Sequence, residues 1–390
     1  MIDRSAHEAF VPEAIRKAWD DADALVAGAL AIEEAASSSA EALRELVAYF
    51  GRHNLLRHCV ADTFGGHRPF SVRAVCLVRE RLAIASPLVE LAFAMQGLGS
   101  FPIGHAAGPD GFMQAVVEGR AVAAFALTEP GAGSDLSRLA TRAMPANIET
   151  PSGRPKEGYR LNGEKVYISN AGIADGYTVF ARTSDAENRF ATAFFVPRDA
   201  EGLVTEPMPV LGGHPTGRLR FNNVFVPAEH RLGEEGRGLA LALATLSRFR
   251  VTVGAAALGF AQRALDEALA HTKRRRQFGG PLAELPQVQA QLGEMACEVE
   301  GARLLVYRAA ADLDEGAPRT VTSRTGSMAK LVATENAQRV IDRAVQLHGA
   351  LGVNTESVVS RLYEEVRALR IYEGASEIQR TLIARELLRG

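Results

Sequence analysis

Residues 121–135 read AVAAFALTEPGAGSD, and this stretch decides the fold. Val122 to Leu127 is an apolar run of strand length that ends in the turn-forming Glu129-Pro130-Gly131. Upstream, the chain reads as helix. Ala24 to Leu46 is rich in Ala, Leu and Glu, Ser71 to Met95 is apolar with a helical period, and Gly65-Gly66 and Pro69 interrupt them. Downstream come short strand signals. Tyr159 to Leu161 and Val166 to Ile168 flank Asn162-Gly163, a hairpin signature. Tyr177 to Arg182, Ala191 to Val196, Leu219 to Phe221 and Val224 to Val226 continue the set, and residues 145–158 read as an exposed loop. From Gly236 the strand signals stop. Leu239 to Lys273, Gln287 to Asp314, Arg324 to Leu347 and Ser357 to Leu388 read as four long helices. Gly and Pro separate them at Gly279-Gly280-Pro281, Gly316-Ala317-Pro318 and Gly349 to Asn354.

The expected fold is mainly α with a central β-domain. An N-terminal helical domain covers 1–118, a small antiparallel β-barrel or sandwich 119–235, and a C-terminal four-helix bundle 236–390. This order lacks the β-α alternation of a doubly wound nucleotide fold. Gly131-Ala132-Gly133 is therefore no dinucleotide fingerprint, and its sixth position is Leu136 rather than Gly.

Composition sets the outer bounds. The 390 residues are 47% hydrophobic and 23% charged, ordinary for a globular protein with two or three domains. A net charge of -2 gives no general attraction to nucleic acid or to an anionic membrane. The three cysteines, Cys59, Cys76 and Cys297, are widely spaced with no CxxC pair, which speaks against a disulfide framework or zinc site and for a reducing, cytoplasmic setting. The N-terminus has no secretory h-region, and no run of about 18 apolar residues marks a membrane span. No metal site is expected.

Several motifs allow more than one use. Lys273 to Arg276 is a basic cluster at a helix end, where the dipole favours cations, and Arg275 could hold a phosphate bidentately. Ser327-Met328-Ala329-Lys330 matches SxxK, but neither SDN nor KTG follows and the segment reads as mid-bundle helix. His348 precedes Gly349 at a helix end, where capping or loop packing is expected. Glu373 sits between Tyr372 and Gly374 at a break between helix-like stretches, a setting for a general base or for a surface carboxylate.

Taken together, these segments resemble one family, the acyl-CoA dehydrogenases, from about residue 60 to the C-terminus. Ala126 to Asp135 (ALTEPGAGSD) is similar to a family signature, and Leu161 to Asp175 to its flavin-facing hairpin. Leu211 to Gly238 is similar to the connector into the bundle. Arg275 to Gly279 (RRQFG) and Gln346 to Gly352 (QLHGALG) resemble FAD contacts, and Tyr372 to Arg380 (YEGASEIQR) the catalytic segment.

The resemblance implies FAD-dependent α,β-dehydrogenation of a saturated acyl thioester, as in fatty acid metabolism, with Glu373 as the base. It implies that Phe125, Leu127, Thr128, Gly133, Ser134, Tyr167, Ser169, Ala375 and Glu377 contact FAD. Arg275, Gln277, Phe278, Gln346 and Gly349 would do so from a neighbouring subunit of a homo-oligomer, a tetramer or a dimer. Ser134, Arg250 and Gly374 would meet the substrate, an acyl-CoA or acyl-carrier-protein thioester, and an electron-transfer flavoprotein would take the electrons. Tyr167, Ser169, Ala350 and Ala375 depart from the residues common in the family at those places. Some relatives carry their base one residue before the position of Arg250, which here is Phe249. Two other readings stand beside this one: an oxygen-using flavoenzyme of the same fold, and a non-catalytic scaffold.

Overall fold

The computed structural model describes residues 10–60, 70–106, 108–149, 155–186 and 189–389. Among the described residues, six α-helices come first: α1 (Glu13–Asp23), α2 (Val26–Ala35), α3 (Ser39–Arg52), α4 (Val72–Ala85), α5 (Pro87–His105) and α6 (Asp110–Val117). Eight strands follow: β1 (Ala123–Ala126), β2 (Arg142–Glu149), β3 (Pro155–Ser169), β4 (Gly176–Arg182), β5 (Ala191–Pro197), β6 (Leu203–Pro207), β7 (Thr216–Pro227) and β8 (Arg231–Leu232). The long helix α7 (Gly238–Arg274), the hairpin β9 (Arg276–Gln277) and β10 (Gly280–Pro281), and helices α8 (Pro286–Asp314), α9 (Arg319–His348), α10 (Val358–Leu369) and α11 (Ser376–Leu388) complete the chain. The helix-strand-helix order expected from sequence is present, with a mixed central sheet.

By packing, the chain forms two compact units. One takes in the described residues up to Leu30, Ser71–Glu90, and Ser247 onward. The other takes in the described residues of Ala31–Phe70 and Leu91–Leu246.

In the first unit α4 packs against α1 and α8. Val72 to Glu80 are all buried, charged side chains included. Its N-terminus is capped twice. Ser71 Oγ accepts from Ala74 N at 3.2 Å, and Asp314 at the end of α8 accepts from Ser71 Oγ (2.7 Å), Val72 N (2.7 Å) and Arg73 N (3.2 Å). Close helix approach explains two mid-helix glycines of α7. A Cβ on Gly259 would lie 2.5 Å from the Glu80 carbonyl oxygen, and one on Gly254 2.8 Å from Val306. α7 is long and apolar enough by composition to cross a membrane, but half of its apolar window is buried in the protein. It is a core helix. The fourth bundle segment expected at 357–388 is two helices, α10 and α11, broken at 370–375. Likewise 24–46 and 71–95 are each interrupted, the latter at Ser86-Pro87, where proline starts α5.

In the second unit the sheet order is β6-β7-β3-β2-β4-β5-β8, with β1 paired to β4 in parallel. Most other ladders are antiparallel. The Asn162-Gly163 hairpin is not formed. β3 runs straight through it, paired with β2 on one side and β7 on the other, and the register shifts between Leu161 and Gly163. Gly163 has φ +143°, and a Cβ there would lie 2.6 Å from Thr141 Oγ1, so the dipeptide makes a bulge. Residues 145–158 are also strand rather than loop up to Glu149 and from Pro155, and 150–154 lie outside the described residues. Their polar ribbon is largely solvent-facing, which hid the alternation. Gly65, Gly66 and Pro69, expected to interrupt the first helices, also lie outside the described residues.

Candidate active site

The break between α10 and α11 builds the site in the first unit. Ile371 N and Tyr372 N still donate to the Ala368 carbonyl, at 2.9 and 3.2 Å, and then the chain turns left-handed. Glu373 has φ +52° and Gly374 φ +95°. A left-handed non-glycine residue costs about 1–2 kcal/mol, and such strain persists only where its surroundings impose it. Here the imposing contacts fall on the Gly374 carbonyl, which accepts from Lys330 Nζ of α9 at 2.8 Å and Gln379 Nε2 of α11 at 2.7 Å. Glycine suits the position because φ +95° strains any L side chain, and a Cβ at 374 would also push on Gln379 Nε2, 2.4 Å away.

Glu373 as a residue is half-buried, yet both carboxylate oxygens are shielded from solvent and have no hydrogen-bond partner. Burial pushes its pKa above the usual carboxylate value. Arg79, Lys330 and Arg250 pull it back, and Glu90 adds to the rise. Arg79 is buried and ion-paired to Glu90, and its NH1 donates to Thr252 Oγ1 at 2.7 Å. Burial works against the Arg79 charge, but Glu90 and then Glu373 outweigh it and raise its pKa. Arg250 reaches the same turn. Its NH2 would lie 3.7 Å from a Cβ at 374, its Nε is buried without a partner, and burial lowers its pKa. Lys330 is fully buried and drawn by burial down to about 8. Phe249 is a packed apolar side chain. A carboxylate that is dry, unbonded and ringed by cations is basic yet still ionisable, which suits proton abstraction.

The structure thus brings Glu373, Gly374 and Arg250 together. It adds Arg79, Glu90 and Lys330, which the sequence reading missed. Their only sequence signal was a charge on the buried side of an apolar-periodic helix, and for Lys330 the SxxK match pointed elsewhere. Ala375 is the N-cap of α11 and supplies no side-chain bond, while Glu377 is exposed and pairs with Arg380 at 3.6 Å.

Gln277 and Phe278 sit on the β9–β10 hairpin and Arg275 just before it, all exposed, with Phe278 91% exposed. Gln346 and Gly349 lie at the C-terminal end of α9. His348, beside Gly349, donates its Nδ1–H to the Ala344 carbonyl (2.7 Å) and stacks on His271 at 4.3 Å, which brings the ends of α7 and α9 together. These five residues therefore lie toward the same end of the α7–α9 pair, far from Arg250. Along α7, Arg250 to Arg274 spans about 36 Å at ~1.5 Å per residue.

In the second unit β1 leads into a tight turn closed by two bonds between Glu129 and Ala132, at 3.0 and 3.1 Å. The buried Glu129 carboxylate accepts from Ala140 N (2.5 Å), Thr141 N (3.1 Å) and Lys165 Nζ (2.7 Å), and Lys165 also donates to the Leu127 carbonyl at 3.1 Å. Burial draws Lys165 down to about 8. Burial works to raise Glu129, but Lys165 and the amides hold its pKa below the ordinary value. This pair locks the 127–132 turn to β3. Val166 N donates to the Thr128 carbonyl at 2.9 Å, so Thr128 and Tyr167 are neighbours. Tyr167 lies at a register shift of β3 with φ +56°, and its ring is 62% exposed. Thr128 and Ser169 are half-buried, Ser134 and Gly133 exposed, and Gly131 and Gly133 have open space where a Cβ would stand. Leu127 is buried, and the Phe125 ring packs on Phe180 at 5.0 Å, leaving its backbone for any ligand contact. An exposed ring, nearby hydroxyls and open glycine backbone suit a flat amphipathic heterocycle such as flavin.

Comparison with known proteins agrees with both halves. Residues 124–224 match the family model described as acyl-CoA dehydrogenase, middle domain, and 236–388 match acyl-CoA dehydrogenase, C-terminal domain. The chain is 35% identical over 332 residues to cyclohexane-1-carbonyl-CoA dehydrogenase of Geobacter metallireducens, covering 84% of each chain. The butyryl-CoA dehydrogenase structure from Megasphaera elsdenii superposes with TM-score 0.83 at 32% identity, covering 100% of both chains. A chain from a structure of the electron transferring flavoprotein of Acidaminococcus fermentans gives TM-score 0.87 at 30% identity, covering 97% of this chain and 99% of that one.

Proposed function

The chain belongs to the acyl-CoA dehydrogenase family, FAD-dependent oxidoreductases acting on CH–CH bonds, and from that premise we propose that it converts a saturated acyl-CoA to the trans-2-enoyl thioester with Glu373 as the α-proton base. The observation that carries this reading is the Glu373 carboxylate, buried without a hydrogen bond on a left-handed turn. A thioester α-C–H is a weak acid, so the base must be desolvated and held at the carbon. The turn does the holding, and burial raises the proton affinity. The Glu373 backbone N–H, at the left-handed turn, is the donor proposed for the thioester carbonyl. Arg250, against the same turn, shapes the substrate side. Bound FAD supplies the acceptor for the β-hydride. Thr128, Ser134, Tyr167, Ser169 and the 131–133 backbone are the residues that would hold its ring system.

The separation along α7 supports a second part of the proposal. The exposed group of Arg275, Gln277, Phe278, Gln346 and Gly349 stands at the far end of α7, about 36 Å from Arg250 at the substrate turn. It would serve the FAD of a neighbour in a homo-oligomer, a tetramer or a dimer. The comparison with the A. fermentans structure supports an electron-transfer flavoprotein as acceptor. The widely spaced Cys59, Cys76 and Cys297, with no CxxC pair, fit a reducing, cytoplasmic setting.

Anaerobic mixing of the FAD-loaded protein with a panel of acyl-CoAs tests the reading. At least one acyl-CoA should bleach the flavin, and Glu373→Gln should keep FAD but lose the bleaching. A panel with no bleaching would sink the proposal. Bleaching followed by rapid recovery in air would move the assignment to an oxygen-using flavoenzyme.

A further inference from the structure

Lys330 is the buried cation whose purpose the proposed chemistry leaves open. It lies in the middle of α9 with no solvent access, a costly place for an ammonium. Its neighbours in charge are Glu373, Arg250, Glu335 and Glu377. An ammonium this close to a carboxylate ordinarily bonds to it. Here it does not, since neither Glu373 oxygen has a partner, and Lys330 Nζ donates instead to the carbonyl of the next residue, Gly374.

We propose that Lys330 is a positioning residue for the base: by tying down the Gly374 carbonyl it fixes the left-handed turn, which aims both the Glu373 carboxylate and the Glu373 N–H, while leaving the carboxylate unbonded. The inference rests on the proposed role of Glu373. Two consequences follow from the geometry. Without Lys330, the carbonyl keeps only the Gln379 amide, which is on α11 and moves with the turn; α9 no longer anchors it. Glu373 also loses one of three cations. Of the groups around it, Arg79 on α4 and Arg250 on α7 remain to favour its ionised form, and Glu90 on α5 opposes it.

The test uses full-length, FAD-loaded protein and an acyl-CoA that bleaches the wild type. Lys330→Met removes both the donor and the charge; Lys330→Gln removes the charge and keeps a donor. Both variants should retain FAD. Lys330→Met should lower kcat about 10²-fold, the scale of a small misplacement of reacting groups, with KM changed only a few-fold. Removing a cation makes Glu373 harder to ionise, so the acid limb of kcat should move to higher pH in both variants. Lys330→Gln should recover much of kcat without restoring the limb. Wild-type kcat and an unmoved limb in both variants would overturn the proposal, as would loss of FAD in both, which would make Lys330 a packing residue. Failure of the Glu373 assignment looks different: no acyl-CoA bleaches the wild type, or Glu373→Gln is as fast as wild type.

Discussion

Two places in this protein hold a glutamate and a lysine out of water, and they treat them in opposite ways. At the 127–132 turn Glu129 takes the Lys165 ammonium and two backbone amides, and its pKa falls below the ordinary value. At the α10–α11 break Glu373 has three cations around it but no hydrogen bond, and its pKa rises. The ingredients match, down to a lysine drawn to about 8 in each. What differs is where the lysine's N–H groups go. Bonded to the carboxylate, the pair is structural. Bonded to the next carbonyl, the lysine leaves the carboxylate hungry for a proton.

The sharpest way to break this contrast is through activity. Glu373→Gln should cut the rate of flavin reduction by about 10³-fold or more, within or beyond the usual range for a lost general base. Glu129→Gln, where the protein still folds and holds FAD, should keep most of its rate; stopped-flow bleaching of both variants decides. If the two results were exchanged, the assignment of roles would be inverted.

Stability gives the next largest effect. Lys165→Met strands the Glu129 charge in the interior and should cost about 3 kcal/mol or more, read as a lower urea midpoint. Glu373→Gln should move stability the other way. The folded-state pKa of Glu373 lies above its unfolded value, so the folded form binds more protons across that interval and stability falls as pH rises through it. Above the folded-state pKa that loss is complete. The uncharged amide avoids it, and the variant should melt above the wild type once the pH has passed that point. A lower melting point would show that the three cations need the charge more than burial opposes it. For the same reason the acid limb of wild-type kcat should lie above the ordinary glutamate range. The smallest effect concerns the start of α11. Ala375→Thr adds the missing cap and should raise stability by about 1 kcal/mol in a thermal melt.

Much of the architecture was legible because it depends on local signals. Long helical periods placed α7, α8 and α9 within a few residues, and the apolar run at 122–127 placed β1. Asn162-Gly163 misled because a local turn preference loses to pairing on both sides. With β2 and β7 each hydrogen-bonded to β3, a bulge keeps both ladders and a hairpin would break them. Glu373 could be singled out from its tyrosine and glycine neighbours. Arg79, Glu90 and Lys330 could not, because a charged residue in a helical pattern reads as surface until the fold shows which face is enclosed. The value of Lys330 depends on Gly374, 44 positions away, and no window along the chain contains both.

The cap on α4 bears on time as well as on structure. Val72 and Arg73 offer their amides to Asp314, across more than 240 positions of chain, and a helix that reaches that far for its first hydrogen bonds cannot complete its start early in folding. In a refolding experiment read by pulsed hydrogen exchange, those two amides should be among the last in α4 to become protected, marking the moment at which the end of α8 arrives.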